Sequence, residues 1–482
     1  MTEPLDAWIA REYRHAAEQM LCSISAVEAI KARPGFGQIV RPVRGSVVAS
    51  PVPASYDPDP DYFFHWYRDS AAVMEALRIL ATERPLADDG ARDTAIGCDR
   101  PTAARHFADF VAFSLGLRGL DGRRLLAAPA WRGAVREDFA RFLRSDADLA
   151  GAHGAAVAGE TRVNPDGTLD ISSWPRPQYD GPALRALTVL RWMRSARGDR
   201  ALDPVLDDAA ATLLRADLAF TRAHSRDPGF DIWEEELGSH YYTLCVAASA
   251  LDEGASWLEA LGEATESRAC RADAETIRGR LDGFWLPAEG FYRSRILASG
   301  ERSTKELDIS VVLAAIHADA PGPRHSVRDP YILATLAQLD ALFIALYPIN
   351  RQRPASRGPA LGRYRGDVYY SGGAYYFSTL GAAELCFRAA ADIAAADPAA
   401  AAARPYEPLP QHPPHLRRSL IERGEAYLET VRAFTPPDGD LSEQFDQRTG
   451  EPSSAKHLAW SYAAFITCVA ARARARPGRR SA

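Results

Sequence analysis

Residues 5–31 read LDAWIAREYRHAAEQMLCSISAVEAIK, and apolar side chains recur in this stretch at intervals of three to four residues. That spacing is typical of an amphipathic α-helix, because residues three or four apart lie on one helical face. The same periodicity, often alanine-rich, recurs at residues 69–82, 101–118, 129–145, 181–197, 203–224, 235–252, 255–283, 307–317, 329–346, 373–394, 415–434 and 456–475. We therefore predict an all-α fold of about a dozen helices. The strand patterns of a β-sandwich or a doubly wound sheet are missing.

The segments that connect these predicted helices are alternately short and long. The long ones are rich in Gly, Pro, Asp and aromatic residues and cover residues 34–68, 150–180, 226–233, 284–306, 347–372 and 435–455. Long loops in a compact domain are usually functional or disordered, and disordered segments rarely contain so many aromatic residues. A ring of paired helices, with its long loops gathered at one end, would produce this pattern.

The chain shows no clear internal boundary. The Ala- and Pro-rich stretch 394–414 is the one linker candidate, and we interpret it as a surface excursion because a helical pattern and an acidic motif follow it. We expect a single domain over residues 1–482, with a core over about 5–475 and a basic tail over 472–482.

Charge and hydropathy exclude two classes of partner. The net charge is −6 and the isoelectric point is about 6.0, so no broad basic face is available to neutralise nucleic-acid phosphates. The one basic run, residues 472–480, is interpreted as a solvated tail in preference to a nucleic-acid or lipid contact. No stretch of eighteen apolar residues suggests a membrane span.

The six cysteines form neither a C-x-x-C pair nor a cluster with histidines. We interpret them as reduced core residues, not as a disulfide framework or a zinc site. The first six residues are acidic and lack the basic start and apolar core of a secretory signal, so a cytoplasmic location is expected. No Gly-rich phosphate loop or metal-ligand cluster is visible, so no cofactor is expected. A structural calcium ion and the oligomeric state stay open.

Two acidic clusters lie about two hundred residues apart in aromatic surroundings: residues 231–236, DIWEEE, and residues 441–446, LSEQFD. Cleavage of a sugar bond needs one carboxylic acid to protonate the leaving oxygen and one carboxylate to activate water or attack the sugar. Asp231 and Glu234 also fit a helix-capping pattern, but capping does not account for Trp233 or for the glutamates that follow. Glu443 alone could equally be a solvated acid in a turn.

Residues 62–69, YFFHWYRD, place five aromatic rings before an Arg–Asp pair at a predicted helix start. One interpretation is a buried aromatic loop with a salt bridge. The other is a sugar site, in which Trp66 stacks on a pyranose ring while Arg68 donates to hydroxyls and Asp69 accepts from them. The sequence alone favours neither.

Five motifs, in order along the chain, resemble those of glucoamylases, the members of glycoside hydrolase family 15. They are residues 66–70 (WYRDS), 174–185 (WPRPQYDGPALR), 231–235 (DIWEE), 362–370 (GRYRGDVYY), and 441–446 with 458–463 (LSEQFD and LAWSYA). The resemblance covers nearly the whole chain. It implies an (α/α)6 barrel, which agrees with the count of predicted helices.

The resemblance also implies roles for individual residues. Glu234 corresponds to the general acid and Glu443 to the general base. The remaining expected site residues bind or enclose the sugar, and they are Tyr62, Trp66, Arg68, Asp69, Trp174, Trp233, Glu235, Arg363 and Asp367. Inverting hydrolases of this kind hold their two carboxyl groups about 6.5–9.5 Å apart, with water between them.

The implied mechanism needs Glu234 protonated while Glu443 is ionised. We expect burial against Trp174 and the neighbouring Glu235 to favour protonation of Glu234. Hydrogen bonds from Tyr62 and Gln444 are expected to keep Glu443 charged.

The implied activity is release of β-glucose from the non-reducing ends of α-1,4-linked malto-oligosaccharides. Departures from the fungal pattern at Glu236, Leu237, Gly366 and Tyr375 leave linkage and chain length open, so cleavage of α-1,6 bonds or of trehalose remains an alternative. A non-catalytic sugar-sensing barrel is a further alternative, which the presence of both glutamates disfavours. The chain has no room for an added starch-binding module, so we expect short soluble oligosaccharides as substrates.

Overall fold

The computed structural model describes residues 3–54, 59–83, 86, 98–200, 202, 208–395 and 413–476. Twelve long helices occur in this part of the chain. In chain order they are α1 (Leu5–Cys22), α2 (Tyr67–Thr82), α3 (Arg100–Leu117), α4 (Asp180–Ala196), α5 (Asp208–His224), α6 (Tyr241–Ala260), α7 (Ala264–Leu281), α8 (Ser310–Ala318), α9 (Pro330–Leu346), α10 (Tyr376–Ala395), α11 (Pro413–Phe434) and α12 (Ala459–Ala475).

The even-numbered helices form a closed inner ring. Each of α2, α4, α6, α8, α10 and α12 packs against the next, and α12 packs against α2 to close the circle. The odd-numbered helices lie outside: α1 against α12, α3 against α2, α5 against α4, α7 against α6, α9 against α8, and α11 against α10. This is an (α/α)6 barrel, and it confirms the predicted fold class.

Composition decides which helices lie inside. In α8 eight of nine residues are buried, and in α12 fourteen of seventeen, so these helices are enclosed on nearly all sides. In α1 only seven of eighteen residues are buried, and they form the single face turned to the barrel. A helix that is apolar all round must be surrounded by protein, whereas an amphipathic helix can border solvent.

Short strands lie directly before several inner helices. His65–Trp66 precedes α2 and pairs with Arg162–Val163, and Leu237–His240 precedes α6. Ala374–Tyr375 precedes α10 and pairs with Gln444–Phe445, which in turn pairs with Pro452–Ser453. These pairings tie the long loops together at the end of the barrel where the inner helices begin, and the candidate site lies there.

Several predicted helices differ from the structure. The stretch 129–145 forms two short 3-10 segments, Pro129–Ala134 and Glu137–Phe142, with no buried residue in either. The helix expected over 235–252 begins at Tyr241, because Leu237–His240 pairs as a strand with Gly229–Phe230 and Arg295–Leu297. The first helix ends at Cys22, so residues 23–31 are not helical.

The chain ends also differ from the prediction. Arg472, assigned to a solvated tail, is buried in α12 and pairs with Glu425 at 2.8 Å. Most of the 394–414 linker lies outside the described residues. All six cysteines are free thiols and four are buried, but Cys22 is exposed at the end of α1 and is not a core residue.

No helix in the described ranges has an apolar stretch long enough to cross a bilayer. Within the same ranges, no group of three or more His, Cys, Asp or Glu side chains is arranged to hold a metal ion.

Candidate active site

Glu234 lies in a tight turn, not at the start of a helix. The side chain of Asp231 accepts hydrogen bonds from the backbone N–H groups of Glu235 at 2.7 Å and Glu236 at 3.1 Å. Glu234 itself has a φ of +63°, in the left-handed region that a residue with a side chain seldom adopts. Arg295 pairs with Asp231 at 2.9 Å and so helps to stabilise the turn.

Three N–H donors fix the carboxyl group of Glu234. Its Oε1 accepts from the indole of Trp66 at 2.9 Å and from Arg68 at 3.0 Å. Its Oε2 accepts from the indole of Trp174 at 2.8 Å, and the Trp174 ring lies edge-on to that of Trp66. Among the described residues, Oε2 accepts one hydrogen bond whereas Oε1 accepts two.

Glu443 lies in the segment that precedes α12 and is buried. Its Oε1 accepts a hydrogen bond from the hydroxyl of Tyr62 at 3.3 Å, and its Oε2 accepts one from the hydroxyl of Ser454. Burial raises the pKa of Glu443 to about 7, although the hydroxyl of Ser454, the charge of Arg363 and the hydroxyl of Tyr62 act in the opposite direction. The group is therefore poised to exchange a proton near neutral pH.

The two glutamates border the same aromatic wall. The ring of Tyr62, which donates to Glu443, lies 5.1 Å from the ring of Trp66, which donates to Glu234. Burial first, and then the charges of Glu443 and, more weakly, Glu234, raise the pKa of Tyr62 well above its ordinary value, so its hydroxyl stays protonated and can donate. Glu234 and Glu443, about two hundred positions apart in the chain, are thus hydrogen-bonded to two neighbouring aromatic side chains.

Arg68 and Asp69 lie in the first turn of α2, beneath Glu234. Arg68 donates to Gln178 and Asp180, both at 3.2 Å, as well as to Glu234, and its Nε is buried without a partner. Asp69 is 3.8 Å from Arg68, and burial raises its pKa to about 6 against the effect of that arginine. The two side chains therefore place hydrogen-bonding groups next to Glu234.

Arg363 and Asp367 form a second polar pair. Arg363 donates to both oxygens of Asp367, at 2.7 and 2.6 Å, and it also donates to Glu235 at 3.2 Å and to the hydroxyl of Tyr364 at 3.4 Å. Asp367 also accepts from the backbone N–H of Tyr369 at 2.9 Å and from the hydroxyl of Tyr375 at 3.3 Å.

Trp233 differs from the other tryptophans of the site. Its indole N–H donates to Asp308 at 2.8 Å, and its ring stacks on Phe377 with centroids 6.1 Å apart. It anchors the Glu234 turn to α10, so any contact with a ligand must come from the ring face. Gln444, expected beside the base, instead donates to the hydroxyl of Tyr375 at 2.7 Å and does not contact the carboxyl group of Glu443.

The sequence matches the family described as Glycosyl hydrolases family 15 over residues 31–111 and 158–470, most of the chain. This chain belongs to family 15. The unmatched interval, 112–157, contains the end of α3 and the short helical segments that follow it, away from the two glutamates.

Relatives and solved structures agree with that membership. The chain is 29% identical to Glucoamylase 1 of Rhizopus oryzae over 65% of its own length and 56% of the relative's. It is 28% identical to Glucoamylase of Neurospora crassa over 97% of this chain and 68% of that protein. The structure of Glycoside Hydrolase Family 15 Glucoamylase from Hypocrea jecorina superposes with a TM-score of 0.76 at 25% identity, covering 98% of this chain and 73% of that one. The chain spans little more than half the length of the Rhizopus protein.

Four residues at the family 15 site were not identified from the sequence. Ser454 contacts Glu443, Tyr369 lies 2.8 Å from the hydroxyl of Tyr62, and both Tyr364 and Lys305 contact Glu235. The tyrosines lie within the GRYRGDVYY motif, which was itself a signal. Lys305 is one of only three lysines among 57 basic residues, whereas nothing in the sequence distinguishes Ser454.

Proposed function

We propose that this family 15 protein is an inverting exo-hydrolase that releases β-glucose from the non-reducing ends of α-1,4-linked malto-oligosaccharides. The observation that carries the proposal is the shared wall of Tyr62 and Trp66, with Glu443 bonded to one ring and Glu234 to the other. A sugar bond held against that wall has an acid on one side and a base on the other.

In the proposed reaction Glu234 is the general acid and Glu443 the general base. Glu234 transfers its proton to the glycosidic oxygen as the bond from the sugar carbon to that oxygen breaks. Glu443 takes a proton from a water molecule, whose oxygen bonds to the same carbon from the opposite face. Arg68, Asp69 and the Arg363–Asp367 pair bind hydroxyls of the terminal glucose, a positioning effect that keeps the glycosidic oxygen near Glu234.

Aromatic side chains complete the proposed sugar pocket. Trp66 and Trp174 supply apolar walls for the pyranose ring, and their indole N–H groups hold Glu234. Tyr62 keeps the base in place, and Trp233 fixes the turn of the acid. The rings of Phe377 in α10 and Trp460 in α12 stack inside the ring of helices with centroids 4.2 Å apart. We infer that this stack closes the base of the pocket, which favours attack at chain ends over attack in mid-chain.

Three comparisons support the α-1,4 assignment over the alternatives, since each of the relatives named above is called a glucoamylase. Cleavage of α-1,6 bonds or of trehalose needs a different placement of the second sugar but the same pair of glutamates. A non-catalytic sugar-sensing role does not explain why Glu234 and Glu443 are hydrogen-bonded to neighbouring aromatic side chains.

Proton NMR of the first product formed from maltotriose tests the proposal. We expect the signal of β-glucose to appear before mutarotation, followed by maltose consumption. Parallel incubations with maltose, isomaltose and trehalose separate the linkages, and the Glu443→Gln variant is the matched control. Release of α-glucose, or no turnover of any of these sugars by the pure wild-type protein, would rule the proposal out.

We further propose that the protein acts in the cytoplasm as one catalytic unit. Six free thiols support this location, because a reducing compartment keeps cysteines unpaired. Fractionation of the source cells, with maltotriose hydrolysis measured in each fraction, tests it. Activity confined to the culture medium would contradict it.

A further inference from the structure

Lys305 lies at the mouth of the candidate pocket, in the segment between the Arg295–Leu297 strand and α8. Its ammonium nitrogen is 2.7 Å from Oε2 of Glu235 and 4.9 Å from the centre of the Tyr364 ring. The other two lysines of the chain have different partners, since Lys31 pairs with Asp61 and Lys456 pairs with Asp59. Nearly all basic residues of the chain are arginines, and the residue at this position is one of the three lysines.

The backbone of Lys305 is held in place by neighbouring contacts. Its N–H donates to the hydroxyl oxygen of Ser303 at 3.0 Å, and that hydroxyl donates to Glu236 at 2.8 Å. Glu236 is in turn 2.8 Å from Arg295, so the segment is tied to the turn that carries Glu234. A side chain built on a fixed backbone loses less freedom when it binds a ligand.

Glu235 uses most of its accepting capacity within the protein. Its Oε1 accepts from Arg363 at 3.2 Å and its Oε2 accepts from Lys305 at 2.7 Å, while the single hydroxyl proton of Tyr364 is shared between Oε1 at 2.7 Å and Oε2 at 2.5 Å. A carboxylate offers about four acceptor positions, and three donors leave about one of them open. A sugar hydroxyl that arrives here meets more unused N–H donors, on the Lys305 ammonium, than open acceptor positions.

The space in front of Lys305 is open. It forms a cavity of about 590 Å³, lined by Glu235, Lys305, Tyr364, Asp367, Tyr369 and Tyr370 among others, and its rim includes the highly exposed Val368. That volume lies within the usual range for ligand pockets. Because Glu235 follows Glu234 directly in the chain, the cavity lies next to the residue that is proposed to protonate the leaving oxygen.

We propose that Lys305 is a specificity-determining residue that donates hydrogen bonds to hydroxyls of the second sugar of the substrate. In this arrangement Glu235 positions Lys305 and Tyr364 and need not hold the sugar itself. The inference rests on the proposed hydrolytic function and adds to it the recognition of the leaving sugar.

Two substrates with different leaving groups test the inference. Maltose has a second sugar, whereas α-glucosyl fluoride has a leaving group without hydroxyls. For Lys305→Met we expect kcat/KM on maltose to fall roughly tenfold to hundredfold, the usual effect of losing a hydrogen bond to a charged group. On α-glucosyl fluoride we expect a change of less than about twofold. The loss should be the same for maltose and maltotriose, because both have a second sugar.

Two further variants serve as controls, and three outcomes would contradict the proposal. Lys456→Met should leave both substrates unaffected, and Lys305→Arg, which keeps donors at this position, should retain more maltose activity than Lys305→Met. Equal losses on both substrates, no loss on either, or a loss that grows with chain length would each overturn the role of Lys305. If the wild-type protein hydrolyses neither substrate, the proposed function itself has failed, an outcome that is separate from the others.

Discussion

The hydroxyl of Ser454 donates a hydrogen bond to Oε2 of Glu443, eleven residues earlier in the chain. Ser454 has a φ of +65°, a left-handed conformation that is uncommon for a residue with a side chain. The neighbouring strand pair, Gln444–Phe445 with Pro452–Ser453, brings the two residues together. A local backbone strain is therefore retained where it orients the proposed base.

Replacement of Ser454 by alanine is expected to move the acid limb of the pH–rate profile upward. The hydroxyl stabilises the ionised form of Glu443, so its loss raises the pKa of that residue further. We expect kcat/KM below pH 7 to fall and the limb to shift by roughly one pH unit, with recovery at higher pH. Ser267→Ala, which removes a buried hydroxyl from α7, is the control. An unchanged limb would contradict the role of Ser454.

Replacement of Glu443 by glutamine should lower kcat by about a thousandfold while largely sparing sugar binding, since a general base contributes roughly 10²–10⁴. The measurements are kcat and the dissociation constant of a glucose-like inhibitor. Near-normal turnover would remove Glu443 from the mechanism.

The same Glu443→Gln variant should gain stability relative to wild type as the pH rises. Burial raises the pKa of Glu443 to about 7, above its value in an unfolded chain, so ionisation costs stability as pH rises through that pKa. A neutral amide avoids this cost, which reaches up to about 3 kcal/mol. Urea unfolding at pH 5 and pH 8.5 measures the difference, with Glu301→Gln as an exposed control. An equal effect at both pH values would count against it.

Replacement of Glu234 by glutamine should affect substrates according to their leaving groups. A glycosidic oxygen needs a proton to depart, so kcat/KM on maltose should fall about a thousandfold. Fluoride departs without that proton, so hydrolysis of α-glucosyl fluoride should be far less impaired. A similar loss on both substrates would indicate a binding role for Glu234.

Replacement of Arg295 by methionine should destabilise the fold and the site together. Arg295 bonds to Asp308 at 2.5 Å and also pairs with Asp231 and Glu236, and its removal leaves buried carboxylates unpaired. We expect the free energy of unfolding to fall by about 3–5 kcal/mol. Arg302→Met, at an exposed position, should cost less than about 1 kcal/mol. Equal losses in the two variants would contradict the anchoring role.

The ring of helices could be predicted from the sequence, whereas the turn that carries the proposed acid could not. Apolar periodicity marks a buried helical face such as that of α1, and this signal is local. The same signal failed at 129–145, where no partner helix is present to bury the apolar residues. It also failed before Tyr241, because the pairing of Leu237–His240 with Arg295–Leu297 joins distant segments that local propensity does not report.

In the candidate site, too, local motifs could be recognised from the sequence, whereas contacts between distant segments could not. Glu234, Glu443, Tyr62 and Trp66 could be identified as candidates from motifs, whereas the contact between the rings of Tyr62 and Trp66 could not. The contact of Lys305 with Glu235 joins residues seventy positions apart through an irregular segment, so no spacing rule could predict it.

The last helix of the ring supports the segment that carries the proposed base. Glu443 and Ser454 directly precede α12, which packs between α10 and α2 and thereby meets the helix that begins beside Trp66. A chain folded only as far as α10 would have the turn of the proposed acid without a fixed position for Glu443. The proposed hydrolysis therefore requires closure of the whole ring.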